Sequence, residues 1–488
     1  MRRVCLAFLA VLLLTTACSG ERPTLDDSAA REVEPLDSGT PAPGSAAVAE
    51  AVTVRLAVPD GWSLDPADAG AASLTNRVVA DLLYEGLTTT TDDGLPGPGL
   101  AERWFVSDDR LTWTFVLPAS LTDGAGETIT ARHVKASLER VAARGPADQA
   151  ATALTSISGW TDQMTGNAGG VAGIAAPDDL TVVIQLDAPY ELLLDVLASP
   201  AFGITGPDDQ GGLRTTGAFA GTDEPDVFVA VDPAATVNRL EFVHDGDSPA
   251  AAVAAGDADW AVLATGEDAE GLDADVIRHP LELDVAIVAR SPIEAVRLGL
   301  LGSLDPLTLA GAVDGLTART NANRPAFETA PEAALVDVPA GELQGLGEAV
   351  VDQLETAGIT VLPIASTPEE FAARVAAGDA LLFPIVVAGG TGPASAVLRF
   401  GVPGATDDMF GPQSSARAEL AEAVVTELDV QQRALFIEAL ERTLVDEGLL
   451  LPVGQFEVRV ALSHRLDGLR HRSDGTLDLS TVGIADQP

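Results

Sequence analysis

The 488-residue chain predicts an α/β fold. Three observations carry that expectation. Val52, Val54, Leu56 and Val58 alternate with Thr53, Arg55 and Ala57, the period of a strand with one buried face. Leu240-Glu241-Phe242-Val243 is followed by an Ala-rich helical stretch and Gly256-Asp257-Ala258-Asp259-Trp260, the strand and helix of half a parallel βαβ crossover. Much later, Glu348 to Ala357 places Val350, Val351 and Leu354 on one helical face, stops at Gly358 and leads into Ile359-Thr360-Val361.

Residues 1–18 read as an export signal. Arg2 and Arg3 form a positive start, Val4 to Leu14 an apolar run, and Thr15-Thr16-Ala17 a small-residue approach to Cys18. The apolar run is too short to span a bilayer. Cys18 in this setting resembles a lipobox in which Leu14 sits one place early and Thr15 takes its position, so lipid attachment at Cys18 is expected. The other reading is ordinary secretory cleavage beside an incidental cysteine. Cys5 lies inside the signal, which leaves the exported part without a disulfide or a catalytic thiol. Residues 19–50 are rich in Ser, Pro, Ala, Glu and Asp without an apolar period, and read as a disordered tether. No later stretch offers the roughly twenty uninterrupted apolar residues of a membrane span.

Beyond the first strand, Pro59-Asp60-Gly61 is a turn and Leu64-Asp65-Pro66 follows. Ser73 is placed to cap a helix burying Leu74, Val78, Leu82 and Leu83, with Gly86 closing it. Leu111, Trp113, Phe115 and Leu117 alternate with Thr112, Thr114 and Val116 in a hairpin. Thr130 starts a helix burying Ala131, Val134, Leu138 and Val141, ended by Gly145-Pro146. Leu180 to Leu186 is a strand, and Pro189 opens a helix through Leu192, Leu193 and Val196. Thr367-Pro368-Glu369-Glu370 combines a capping residue, proline at the first helical position and a capping-box glutamate, with Phe371 and Val375 facing inward before Gly378. Asp429 with Gln432 starts a helix burying Leu435, Phe436, Ala439, Leu440 and Leu444, closed by Gly448. Phe456, Val458, Val460 and Leu462 form the last alternating strand.

The formal net charge of −45 argues against nucleic acid and anionic lipid as partners, because both need clustered Lys and Arg. There is no G-x-S-x-G elbow, H-E-x-x-H, Walker A loop or dinucleotide fingerprint. His133, His244, His279, His464 and His471 are scattered without metal-ligand spacing, and His464 and His471 are expected on a surface turn. Asp245-Gly246-Asp247 and Asp257-Ala258-Asp259 lack the distal glutamate of a calcium loop and read as solvated turns. No catalytic residue, metal or cofactor is expected. Trp104 and Trp113 read as core packing; Trp62, just past the first strand, is a candidate for lining a cleft.

Tyr84-Glu85-Gly86-Leu87, Leu100-Ala101-Glu102-Arg103-Trp104 and Asp108 to Phe115, in that order and spacing, resemble the extracytoplasmic solute-binding proteins of peptide/nickel-type ABC importers, bacterial solute-binding protein family 5. The likeness spans most of Thr53 to Val482. It implies a two-lobed periplasmic-binding-protein-like (type II) fold with a hinge and an interlobe cleft, its mixed sheets flanked by helices. The implied division is a first lobe with an inserted subdomain at 51–290, a second lobe at 291–454 and a return to the first at 455–488. The implied function is capture of an oligopeptide or related small solute for delivery to ABC permease subunits. The protein is expected outside the cytoplasm, held to the cell membrane by the lipid. The alternative is a degenerate binding scaffold with a surface or regulatory role. The resemblance also implies a strand at Arg297-Leu298-Gly299-Leu300 and a helix from Asp305 to Leu316. The family usually has an acidic residue where His133 stands, a difference read as a surface change. In peptide-binding members a strand leads to a Trp and, three residues on, an Asp that pairs with the peptide α-ammonium. Aligned on Gly378 to Leu382, those positions are Val387 and Gly390, and Val386 to Pro393 contains no carboxylate. Val387, Gly389 and Gly390 are therefore ligand-binding candidates beside Trp62, suited to a different or uncharged ligand.

Overall fold

The opening alternation becomes β1 (Val52–Val58), with Val54 and Leu56 fully buried. This computed structural model describes residues 52–485 except 70–72, 92–94, 146–153, 208–212, 245–247, 264–271, 314, 320–323, 328, 341–342, 389–413, 428 and 473–474. The expected signal peptide, the tether and the Asp245-Gly246-Asp247 turn lie outside the described residues. Ser73 caps α1 (Leu74–Leu83) by accepting the Asn76 amide at 3.2 Å, and Leu74, Val78, Leu82 and Leu83 are buried as their spacing requires. The helix stops because Tyr84 turns extended, and Gly86 has another task. A Cβ at Gly86 would stand 2.6 Å from the Leu197 carbonyl oxygen, so glycine permits a close backbone approach. β2 (Arg103–Val106) and β3 (Thr112–Val116) form the expected hairpin, turning through Arg110 at φ 59°. α2 (Ala131–Ala142) follows, then β4 (Thr181–Gln185), which pairs with β3, then α3 (Leu193–Leu197).

β5 (Val237–His244), α4 (Pro249–Ala255) and β6 (Trp260–Leu263) complete the parallel crossover, with β1 inserted between the two strands. β7 (Ala274–Ala289) is sixteen residues long. α5 (Glu294–Gly302) overturns the strand expected at Arg297-Leu298-Gly299-Leu300. Glu294, Ala295, Arg297, Leu298 and the leucines after them are strong helix formers. Gly299 and Gly302 let the helix lie against its neighbours, since a Cβ at Gly299 would stand 2.7 Å from the Thr329 carbonyl oxygen. The helix expected from Asp305 to Leu316 is only Pro306–Ala310, capped by Asp305. β8 (Ala333–Pro339), α6 (Gln344–Thr356), β9 (Thr360–Ser366), α7 (Pro368–Ala377) and β10 (Leu382–Ala388) form a second parallel set with β8 in the middle. α8 (Ser415–Thr426), α9 (Val430–Asp446) and β11 (Leu450–Ser463) end the framework.

One eleven-stranded sheet carries both halves. From β5 its order is β1, β6, β11, β7, β10, β8, β9, with a short hairpin outside β5 and Leu316–Ala318 beside β11. β7 and β11 run through both cores. Their early and late ends pack with Val54, Leu56, Val78, Phe115 and Trp260. Their other ends carry Val285, Ile287 and Leu451 toward α6, and Ala286, Val288 and Leu450 toward α8 and α9. Two lobes of mixed sheet flanked by helices are thus joined by an antiparallel strand pair.

Several polar residues depart from expectation. Asp259 is fully buried: Arg465 grips it from Nε at 2.7 Å and Nη2 at 2.6 Å, and the Arg55 amide donates to it at 2.8 Å. A carboxylate so buried needs such pairing, which is why it is not a solvated turn. His471 accepts the Trp260 indole N–H on Nε2 at 2.9 Å and donates from Nδ1 to the Gly475 carbonyl at 2.8 Å, with the His279 ring stacked 5.0 Å away. It is a neutral structural partner, whereas His464 is exposed between Asp273 and Asp275 as expected. Leu435 is 56% exposed; Arg433 points inward to Asp195 at 3.1 Å instead, because α9 meets the other lobe through that ion pair. His133 is no incidental surface residue, since its Nδ1 accepts the Thr130 amide at 3.1 Å and closes the first turn of α2.

Candidate functional site

Strand direction locates the junction. β1 and β5 are parallel with Val58 level with His244, and β6 runs beside them. β6 is antiparallel to β11, from Trp260 opposite Leu462 to Leu263 opposite Arg459. The carboxyl ends of these three strands therefore point toward the middle of β11, where it leaves the first lobe. From the other side β10 runs toward the same place, with Leu382 opposite Ala289 and Ala388 opposite Leu283. β8 and β9 run with β10. Between β7 and β11 the register breaks here, as Pro280 pairs with Glu457 and the next pair is Asp284 with Gln455. Such a bulge bends the ladder where the two lobes join. Ligands of open α/β sheets bind outside the carboxyl ends of the strands, and both parallel sets here end at the junction.

Trp62 follows β1 in a turn closed by its amide donating to the Pro59 carbonyl at 3.2 Å. Its half-buried ring stands edge-on to Phe242 at 4.9 Å and to His244 at 5.9 Å, both on β5. His244 is held in turn by Asp226 at 2.9 Å. Val387 lies in β10 opposite Asp284, one step from the strand end. Trp62 thus follows a first-lobe strand and packs on β5, and Val387 stands near the end of a second-lobe strand. Gly389, Gly390 and Cys18 lie outside the described residues. Sequence reasoning missed Asp284, a carboxylate only 7% exposed beside the register break. The available signal was an aspartate inside the apolar run Leu283 to Ala289, where a buried charge requires a reason.

The lobes also meet away from the sheet. The segment before α3 reaches the carboxyl end of α8, where helix carbonyls lack intrahelical partners. The Glu191 amide donates to the Val425 carbonyl at 2.8 Å, and the Arg110 guanidinium donates to the Thr426 carbonyl. Leu192 enters the second-lobe core with Phe383 and Leu440, and Asp195 meets Arg433. Arg110 also stands 3.5 Å from the buried Glu191 carboxylate. Burial pushes Glu191 and Asp195 above the usual carboxylate range, opposed by the nearby arginines.

Among the described residues no cluster of His, Cys, Asp or Glu could hold a metal ion, and no helix is long and apolar enough to cross a membrane.

Residues 96–276 match the family model described as bacterial extracellular solute-binding proteins, family 5 middle. A dipeptide-binding protein of Bacillus subtilis, DppE, is 30% identical over 129 residues, 25% of this chain and 22% of that relative. The periplasmic murein peptide-binding protein MppA of Escherichia coli is 32% identical over 29% of this chain and 26% of its own length. These alignments span about a quarter of the relatives. In fold the likeness is broader. The unliganded open form of MppA superposes with a TM-score of 0.69 at 19% identity, covering 89% of this chain and 98% of that one. HbpA2 from Haemophilus parasuis gives 0.69 at 17% identity, covering 89% and 100%. The chain resembles the peptide/nickel-type ABC solute-binding proteins of family 5 in the sequence of its middle region, and shares their two-lobed fold over most of its length.

Proposed function

We propose that this chain is the extracytoplasmic, lipid-anchored solute-binding component of an ABC importer, a binding protein and not an enzyme. It captures an oligopeptide or related small solute between its lobes and delivers it to permease subunits. The observation that carries the reading is the convergence of both parallel strand sets on a two-strand junction. A solute held there touches both lobes, so it stabilises the arrangement in which they are close, and a permease can read that arrangement. The lobes are taken as 51–290 and 291–454, with 455–488 returning to the first. Trp62, Val387, Gly389 and Gly390 are the solute's proposed contacts, with Trp62 supplying a flat apolar surface. The names of the dipeptide- and murein-peptide-binding relatives favour a peptide.

The test is a thermal-shift and small-angle scattering screen of the full-length protein against di- to pentapeptides, murein peptides and other small solutes. A ligand that raises the melting temperature and compacts the protein supports the reading; silence across the whole library overturns it. That silence is the outcome expected of the second reading, a degenerate scaffold with a surface or regulatory role. The observation favouring that reading is the absence of a carboxylate from Val386 to Pro393. Lipidation is tested separately: Cys18→Ser abolishes labelled-lipid incorporation if Cys18 is the attachment point.

A further inference from the structure

The contact between Arg110 and Glu191 combines attraction with an unusual deficit. The Glu191 side chain is 1% exposed, and neither carboxylate oxygen has a hydrogen bond among the described residues. Arg110 lies 3.5 Å away, but its side chain is 38% exposed and its guanidinium is directed at the Thr426 carbonyl. An ionised carboxylate there has lost its water and gained only the attraction of Arg110 and Arg433, neither of which hydrogen-bonds to it, and this does not offset the desolvation. The rest of the seam is favourable. Two orphan carbonyls of α8 are capped, Leu192 is buried, and Asp195 is paired with Arg433. One opposing group therefore sits among contacts that otherwise hold the lobes together.

We propose that Glu191 is a built-in brake on lobe docking, whose desolvated charge keeps an otherwise adhesive seam reversible. The groups facing it are Arg110 from the β2–β3 turn, Arg433 from α9 and Asp195 from α3. Tyr190 is its chain neighbour, with its phenol pushed up to about 12 by burial and so neutral. α8 offers backbone carbonyls, with Glu427 following its last residue. Asp195 is also raised by burial, but unlike Glu191 it is hydrogen-bonded to Arg433 and stays on the attractive side of the seam. The device belongs to the ligand-free protein and does not depend on transport or on any solute.

Hydrogen–deuterium exchange of the full-length, ligand-free protein tests it, read at peptides covering 187–197 and 415–427, with the β1 region as an internal control for global stability. Glu191→Gln removes the charge at constant shape, and Glu191→Met removes it without leaving an amide to satisfy. Arg110→Ala and Leu192→Ala remove attractive parts of the seam. The expected result is exchange slowed roughly tenfold in both peptides for at least one Glu191 variant, and accelerated by Arg110→Ala and Leu192→Ala. Exchange that is unchanged or faster in both Glu191 variants overturns the proposal, because the carboxylate would then be neutral or a net attraction.

Discussion

Each lobe is built around one fully buried aspartate, but the two are closed differently. In the first lobe Asp259, just before β6, is held by Arg465, which lies 206 residues away on the return from the second lobe and also donates to the Thr53 carbonyl at 2.7 Å. In the second lobe Asp337, inside β8, is held by Arg374 of α7, only 37 residues on, at 2.6 and 3.3 Å. The second parallel set is knit by contiguous chain. The first is completed only when the last segment comes back. A buried carboxylate thus acts in one lobe as a local brace and in the other as the lock for a long excursion.

That contrast can be broken experimentally. The largest effect is expected from Asp259→Ala, which strips two guanidinium bonds and one backbone bond at once, a loss of about 3–5 kcal/mol in denaturant unfolding. Asp337→Ala is expected to cost less, about 2–3 kcal/mol, because the bonds it strips are two from the Arg374 guanidinium, one of them long at 3.3 Å. If the second variant proves the more damaging, the distinction between lock and brace fails. His471→Ala comes next, at about 1–2 kcal/mol, because it leaves the fully buried Trp260 indole N–H without its acceptor. A change in Trp fluorescence in the folded state should accompany it.

The smallest predicted effect is also a difference between lobes. The first turn of α2 is closed by His133, and that of α7 by Glu370, whose carboxylate accepts the Thr367 amide at 2.9 Å. Burial lowers the His133 pKa, and the Thr367 bonds lower that of Glu370. Both folded values are depressed, so each contribution is present above the unfolded pKa and lost as pH falls through the folded one. For histidine the loss begins below about pH 6.5, for glutamate only below about pH 4.3. Between those limits the first-lobe cap weakens while the second holds. His133→Glu should therefore gain up to about 1 kcal/mol over the natural chain at pH 5, and less at pH 7.5. Equal gains at both pH values would show that His133 titration is not involved.

Much of the framework was legible in the sequence because its signals are local. Ser73, Thr367 and Asp429 cap where a short polar side chain precedes an apolar period, and each needs only the next three residues to do so. Arg297 to Leu300 failed as a strand because four residues cannot distinguish the two periods, and a family likeness supplied the wrong answer. Of the candidate site, the position of Trp62 after the first strand was readable. Its partners Phe242 and His244 were not, since they arrive through the register of β5 against β1.

By itself the sequence determined the alternation of strands and helices, most of their caps and the stretch with no carboxylate after β10. Those follow from spacing, side-chain size and local hydrogen bonding. The tertiary structure alone decided that Asp259 is buried, that Arg433 displaces Leu435 from the inner face of α9, and that Glu191 is sealed in the seam between lobes. Each is a charge whose burial depends on a partner or a surface far away in the chain, and no local pattern encodes where that partner comes to rest.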